Sequence, residues 1–225
     1  MGKVFLLSIV SFSFSTAHAL CGSDVKGDPG RVLAQVINHS KEQRTMVKGA
    51  LGHVIMQSKM GKESAVAEFK RTTDSQGQVK YEQIPVSTNN PRAIRMAVEQ
   101  DERLTPYDRR RTEFTDENYG FQFLGANGNI YRFKLIPVEH REGLVDGEYW
   151  IDTVQCTPVH IEGSVMNNHG FFLRQFDMFE DLQTINGVVL PKRLLLTFKL
   201  FAFIKTYLGT LDTTSEYRVE DVVLN

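Results

Sequence analysis

The chain has 225 residues, 41% hydrophobic and 24% charged, a balance ordinary for a globular protein that excludes a disordered one. With 26 basic and 27 acidic residues it gives no electrostatic reason to expect nucleic acid or an anionic membrane surface as partner. The length fits a single all-β or α+β domain better than two small ones.

The first residues read as a leader. Met1-Gly2-Lys3 is a short positive start, Val4 to Phe14 is largely apolar, and Ala17-His18-Ala19 places small residues at cleavage-type positions. That three-part pattern is a secretory signal peptide over 1–19, with a mature domain over 20–225. Its apolar core is shorter than the roughly 20 residues a spanning helix needs. A buried N-terminal helix is the alternative reading. Cys21 follows closely, but His18 and Leu20 stand where a lipid-attachment signal wants a Leu-like residue and a small one. The two cysteines, Cys21 and Cys156, form an even count in an exported chain. An oxidising compartment favours a disulfide over two unrelated thiols. Such a bond is worth roughly 2–4 kcal/mol if unstrained. Neither cysteine has a second Cys or His at metal-ligand spacing, so no zinc site is expected.

Asp28 before Pro29 is a cap followed by proline at the first helical position. Val32, Leu33, Val36, Ile37 and Ser40 fall on one stripe, predicting an amphipathic helix from 29 to about 43. Residues 51–60 are mixed, with glycines at 49, 52 and 61. Ala65, Ala67 and Phe69 alternate with polar neighbours, and Val79 and Tyr81 return after an Asp74–Gly77 turn. Pro85 ends that strand near a sheet edge. Asn89-Asn90-Pro91 repeats the cap signal, with Ile94, Ala97 and Val98 on one face of a second helix to about 103. Charge then crowds residues 99–118, including Arg109-Arg110-Arg111. Alternating signs nearby make this a solvated connection rather than an anion site.

Beyond Asn118 short strands return with tight breaks, the pattern of an antiparallel meander. Tyr119, Phe121 and Phe123 alternate with small or polar residues, and Gly125 to Asn129 predicts a hairpin loop. Tyr131, Phe133 and Leu135 continue, followed by strands at 147–152 and 158–163, an aromatic run at 171–182, and Val188 to Pro191. In the last long strand Leu194, Leu196, Phe198, Leu200, Ala202 and Ile204 are all apolar, while the opposite register is mixed. Tyr207-Leu208-Gly209 predicts a turn, and Leu211 to Val219 the final strand.

Catalytic motifs are missing: there is no G-x-S-x-G, P-loop, G-x-G-x-x-G or H-E-x-x-H. The mature chain's histidines (His39, His53, His140, His160 and His169) are never three or four apart. His160 and Glu162 share a strand face, which reads as a solvent-facing polar pair without a third ligand. Glu148 and Asp152 flank Trp150 on one face and invite a two-carboxylate hydrolase, but such pairs are common on exposed sheet faces. The stronger signal is the phenylalanine-rich C-terminal half: the sheet has more apolar surface than two modest helices cover, leaving either a self-filled barrel or an apolar cavity.

Three motifs carry a family resemblance: Tyr131-x-Phe133-x-Leu135-x-Pro137, Gly147-x-x-Trp150-Ile151-Asp152 and Pro158-x-x-Ile161-Glu162-Gly163. Together with Gly187 to Pro191 and the strand bearing Tyr217, they resemble the outer-membrane lipoprotein-sorting and carrier (LolA-like) group over residues 119–223. The resemblance implies a mainly β, α+β fold: a strongly curved, unclosed antiparallel β-barrel with helices covering its concave side. It also implies a periplasmic, non-catalytic carrier without cofactor, whose partner is a lipid or acylated lipoprotein held in an apolar cavity. Leu194, Leu196, Phe198, Leu200 and Ile204 are the expected lining, with Phe121, Phe123, Tyr131, Phe133 and Trp150 as further candidates. The alternative is an envelope sensor or accessory protein using the barrel as a scaffold, with envelope membrane proteins as partners.

Overall fold

The computed structural model describes residues 21, 27–60, 62–74, 78–84, 94, 98, 102, 113–141, 143–166, 173–201 and 207–224. The leader at 1–19, the arginine run at 109–111 and Ile204 lie outside them.

Helix α1 (Pro29–Met46) starts at its cap. Asp28 Oδ1 accepts hydrogen bonds from the backbone N–H groups of Gly30 at 3.0 Å and Arg31 at 3.2 Å, satisfying donors that have no partner inside the helix. Val32, Val36 and Ile37 are buried, so the apolar stripe is the face turned to the protein. Just ahead of the helix, Cys21 is disulfide-bonded to Cys156. Cys156 closes the tight turn between the sixth and seventh strands, where Asp152 Oδ1 accepts from Val154 N at 2.7 Å and Gln155 N at 3.0 Å. The bond therefore ties the chain's start to the sheet across 135 residues of sequence.

Ten strands follow: β1 (Val47–Met60), β2 (Glu63–Thr73), β3 (Val79–Gln83), β4 (Tyr119–Asn127), β5 (Ile130–Pro137), β6 (Val145–Asp152), β7 (Thr157–Val165), β8 (Leu173–Ile185), β9 (Val188–Phe201) and β10 (Tyr207–Leu224). They form one antiparallel sheet in the order β3-β2-β1-β10-β9-β8-β7-β6-β5-β4. β10 pairs with both β9 and β1, so the last strand joins the N-terminal hairpins to the C-terminal meander. β3 and β4 are the two ends and do not pair, which leaves the barrel unclosed. Between them in sequence, Ile94, Val98 and Glu102 are helical and Ile94 is fully buried.

Three boundaries differ from the sequence reading. Gly125, Ala126 and Asn127 belong to β4, leaving only Gly128 and Asn129 as the turn. A bulge between Phe123 and Gly125, where Gly125 takes φ 147°, lets pairing continue past the glycine. Val188–Pro191 and the leucine-rich run form one strand rather than two. Pro191, which has no N–H to donate, sits beside a register irregularity at Asp181/Leu182, where a ladder can accept it. Tyr207, Leu208 and Gly209 are in β10, because Tyr207 pairs with Phe201 and Gly209 with Leu200; ladder bonds outweigh the turn preference of the glycine.

Two cores lie on the concave face. The first joins Val32 and Val36 of α1 to Tyr119, Phe133, Leu135, Tyr149, Ile151 and Ile161 of β4–β7, with Cys21 and Cys156 at its margin. Phe114 stacks on Tyr119 and Tyr149 with ring centroids 5.4 and 5.6 Å apart. The second joins Ile94 to Val54, Met56, Ala67 and Phe69 of β1 and β2.

Candidate functional site

The two cores occupy the two flanks of the sheet, and the strands between them define the site. Register carries one face across it: Ile161 of β7 stands opposite Glu180 of β8, and Glu180 opposite Leu194 of β9. Met178 is likewise opposite Leu196, and Leu194 opposite Ser215 of β10. Because side chains alternate along a strand, Met178, Glu180 and Leu182 share the concave face with Leu194, Leu196 and Ser215. Met178 and Leu182 touch the edge of the first core, and Tyr217 touches the second. Leu194 and Leu196 belong to neither core and are half-buried. The middle of the concave face thus carries four half-buried apolar side chains, Met178, Leu182, Leu194 and Leu196, with Glu180 and Ser215 among them.

The expected lining residues divide accordingly. Leu194 and Leu196 lie in this central stretch. Phe198 and Leu200 continue β9, in register with Phe176 and Leu173. Phe133 is 2% exposed and Tyr131 and Phe121 pack beside it, so these rings fill the first core instead of facing open space. Val32 and Val36 of α1 pack against this core. Phe123, 42% exposed, lies at the β4 edge with its ring 5.4 Å from Tyr131 and 5.5 Å from Phe133.

Trp150 is on the other side of the sheet, which corrects its assignment to the lining. Tyr149 and Ile151 turn to the concave core, so the residue between them must face the convex surface. There the Trp150 ring lies 4.6 Å from His160, and His160 lies 4.3 Å from Phe179. His160 is 6% exposed, not solvent-facing: the two aromatic rings cover it. Its Nδ1 is 2.9 Å from Asp181 Oδ1 and its Nε2 3.4 Å from Glu162 Oε2. Arg132 grips both oxygens of Glu148 at 3.0 and 3.1 Å, and Trp150 Nε1 donates to Glu148 at 2.9 Å. Burial opposes ionisation of Glu148, but these hydrogen bonds prevail and hold its carboxyl below the usual range. The carboxylates that suggested a hydrolase are engaged: Glu148 by Arg132 and Trp150, Asp152 by the turn it caps. Among the described residues no three His, Cys, Asp or Glu side chains come together as metal ligands.

This central stretch holds one group that the alternation argument missed. Glu180 sits among Met178, Leu182, Ile161 and Leu194. Burial, with a smaller push from Asp181, raises its carboxyl from 4.5 to about 7. Tyr149, beyond Ile161 on β6, has its phenol raised by burial first and by the charge of Glu180 second. The signal was present in the sequence as an acid within Phe176–Leu182, but Phe179 in the opposite register hid which side it takes.

Fold and site together define an unclosed β-barrel with one core at each flank of its concave side. No protein-family model and no curated protein matches this sequence. Three solved structures are similar to it, each over 86% of this chain and 93% of the other. They are a LolA superfamily protein from Nitrosomonas europaea (12% identity, TM-score 0.43), a DUF1329 family protein from Desulfovibrio piger (10%, 0.46) and a domain described as outer membrane lipoprotein-sorting from Vibrio parahaemolyticus (12%, 0.47). The sheet itself, and not these likenesses, defines the fold.

Proposed function

We propose that this protein is a non-catalytic carrier of the cell envelope that holds acyl chains, of a lipid or an acylated lipoprotein, in the concave trough. One observation carries the reading: Leu194 and Leu196 are in register with Glu180 and Met178 on the concave face, half-buried and in neither core. A chain laid against them gains about 0.8 kcal/mol for each methylene removed from water. Such binding needs area and shape rather than directional chemistry, which agrees with carboxylates already engaged on the opposite face. Export by the 1–19 leader would place the protein where the Cys21–Cys156 bond persists, in the periplasm. Among the described residues no helix is long and apolar enough to cross a membrane.

Native mass spectrometry of gently purified protein tests the proposal. A carrier co-purifies with lipid masses or takes up a fluorescent fatty acid. A clean apo mass with no uptake would instead favour a scaffold that meets envelope proteins through its surface.

A further inference from the structure

A trough that only buried acyl chains would have no use for a carboxyl, yet Glu180 stands in its middle. Its neighbours along the strand are Met178 and Leu182, and its partners across the strands are Ile161 and Leu194, all apolar. Among the described residues no hydrogen bond or ion pair reaches its side chain. The other charge-bearing acids nearby are occupied: Asp181 turns to the convex face and meets His160 at 2.9 Å. The groups that could titrate with Glu180 are Asp181 on its own strand and Tyr149 on β6; Ile161 and Leu194 supply none. An ionised carboxylate without a partner in apolar surroundings is costly, and among the described residues no ion pair relieves it.

We propose that Glu180 is the polar anchor of the trough and pairs with the ammonium group of a long-chain amine-bearing amphiphile whose acyl or alkyl chain lies along Leu194 and Leu196. This rests on the carrier reading and deepens it. A cation beside a chain satisfies both demands of the site at once: the carboxylate gains its missing counter-charge, and the leucines gain their cover. A neutral amide would supply one weaker hydrogen bond, and a fatty acid would bring a second negative charge to the same place. Glu180→Gln would keep the shape of the trough and lose the charge.

The test is competition for bound Nile red on the full-length mature protein at pH 8, with dodecylamine, dodecanamide and dodecanoic acid as chain-matched competitors. Dodecylamine is expected to displace the dye at about tenfold lower concentration than either of the others, the effect of one charge-assisted hydrogen bond. Glu180→Gln is expected to bring the three competitors together, each read against the dye affinity measured for that variant. Equal displacement by all three on the unaltered protein, or an amine preference that survives Glu180→Gln, overturns the assignment of Glu180 alone. A better result for dodecanamide overturns the ammonium partner. Failure to take up Nile red at all brings down the carrier reading as well.

Discussion

Gly147 and Gly163 stand opposite each other across β6 and β7, so close that a Cβ on Gly147 would lie 1.9 Å from the carbonyl oxygen of Glu162. The two backbones meet where side chains would hold them apart, at the centre of the half-sheet that carries the first core. The obstruction is backbone, not a movable side chain, so any substitution must shift a strand. Gly147→Ala is expected to cost about 1–3 kcal/mol, lowering the melting temperature by roughly 2–10 °C. Gly120→Ala is the control, since its Cβ would meet only ordinary contacts at 3.7 Å and beyond. Thermal unfolding by circular dichroism reads both; equal melting for the two variants contradicts the packing account.

Leu194→Asp and Leu196→Asp test the lining. Each places a charge on the half-buried concave face without touching either core. Fatty-acid uptake should fall at least about tenfold, since an unpaired charge in apolar surroundings costs more than 1.4 kcal/mol. The far-ultraviolet circular dichroism should stay unchanged. Retained uptake in a folded variant would move the chain away from β9.

Trp150 is the single tryptophan of the chain and lies on the convex face, stacked near His160. Its emission maximum should therefore stay in place when the concave trough fills with an acyl chain. A blue shift on binding would mean that the ligand lies against the outer surface.

Stability should depend on pH through Glu180. Its carboxyl moves from 4.5 to about 7 on folding, so the folded state binds the proton more tightly. Below 4.5 both states hold it and the residue makes no difference. As pH climbs through the window to 7, the unfolded chain releases its proton first and stability falls, by up to about 3 kcal/mol. Above 7 the loss is complete. Glu180→Gln should be more stable than the unaltered protein at pH 8 and no more stable at pH 4, as read from urea unfolding at both values.

Reduction of the Cys21–Cys156 bond should destabilise the fold by about 2–5 kcal/mol. The bond closes a long loop and pins the start of α1 to the β6–β7 turn, at the margin of the first core. The Cys21→Ser, Cys156→Ser double variant should show the same loss, and its melting should no longer respond to dithiothreitol. Non-reducing mass analysis of the unaltered protein should find it about 2 Da lighter than its reduced form.

The strands, the helix start at Asp28 and the antiparallel class were legible from residue order. Alternation and capping are local: each depends on neighbours within a few positions, which the sequence displays directly. The same alternation placed Leu194 and Leu196 on one face and would place Trp150 opposite Tyr149, once β6 is read residue by residue. What residue order could not say is how much of each face is already covered. Phe133 and Leu196 look alike as apolar members of alternating strands, yet Phe133 is buried in the core that Val32 and Val36 of α1 join, whereas Leu196 belongs to neither core and is half-buried. His160 is similar: its strand places it on the face of Glu162, and the rings of Trp150 and Phe179 from adjoining strands cover it.

The order of side chains along each strand was settled by the chain itself, because a pleat sends successive residues to opposite sides whatever lies beyond them. Which greasy stretch became filler and which stayed open was settled only when distant segments came together, since cover is supplied by elements far away in sequence and no local pattern records their arrival.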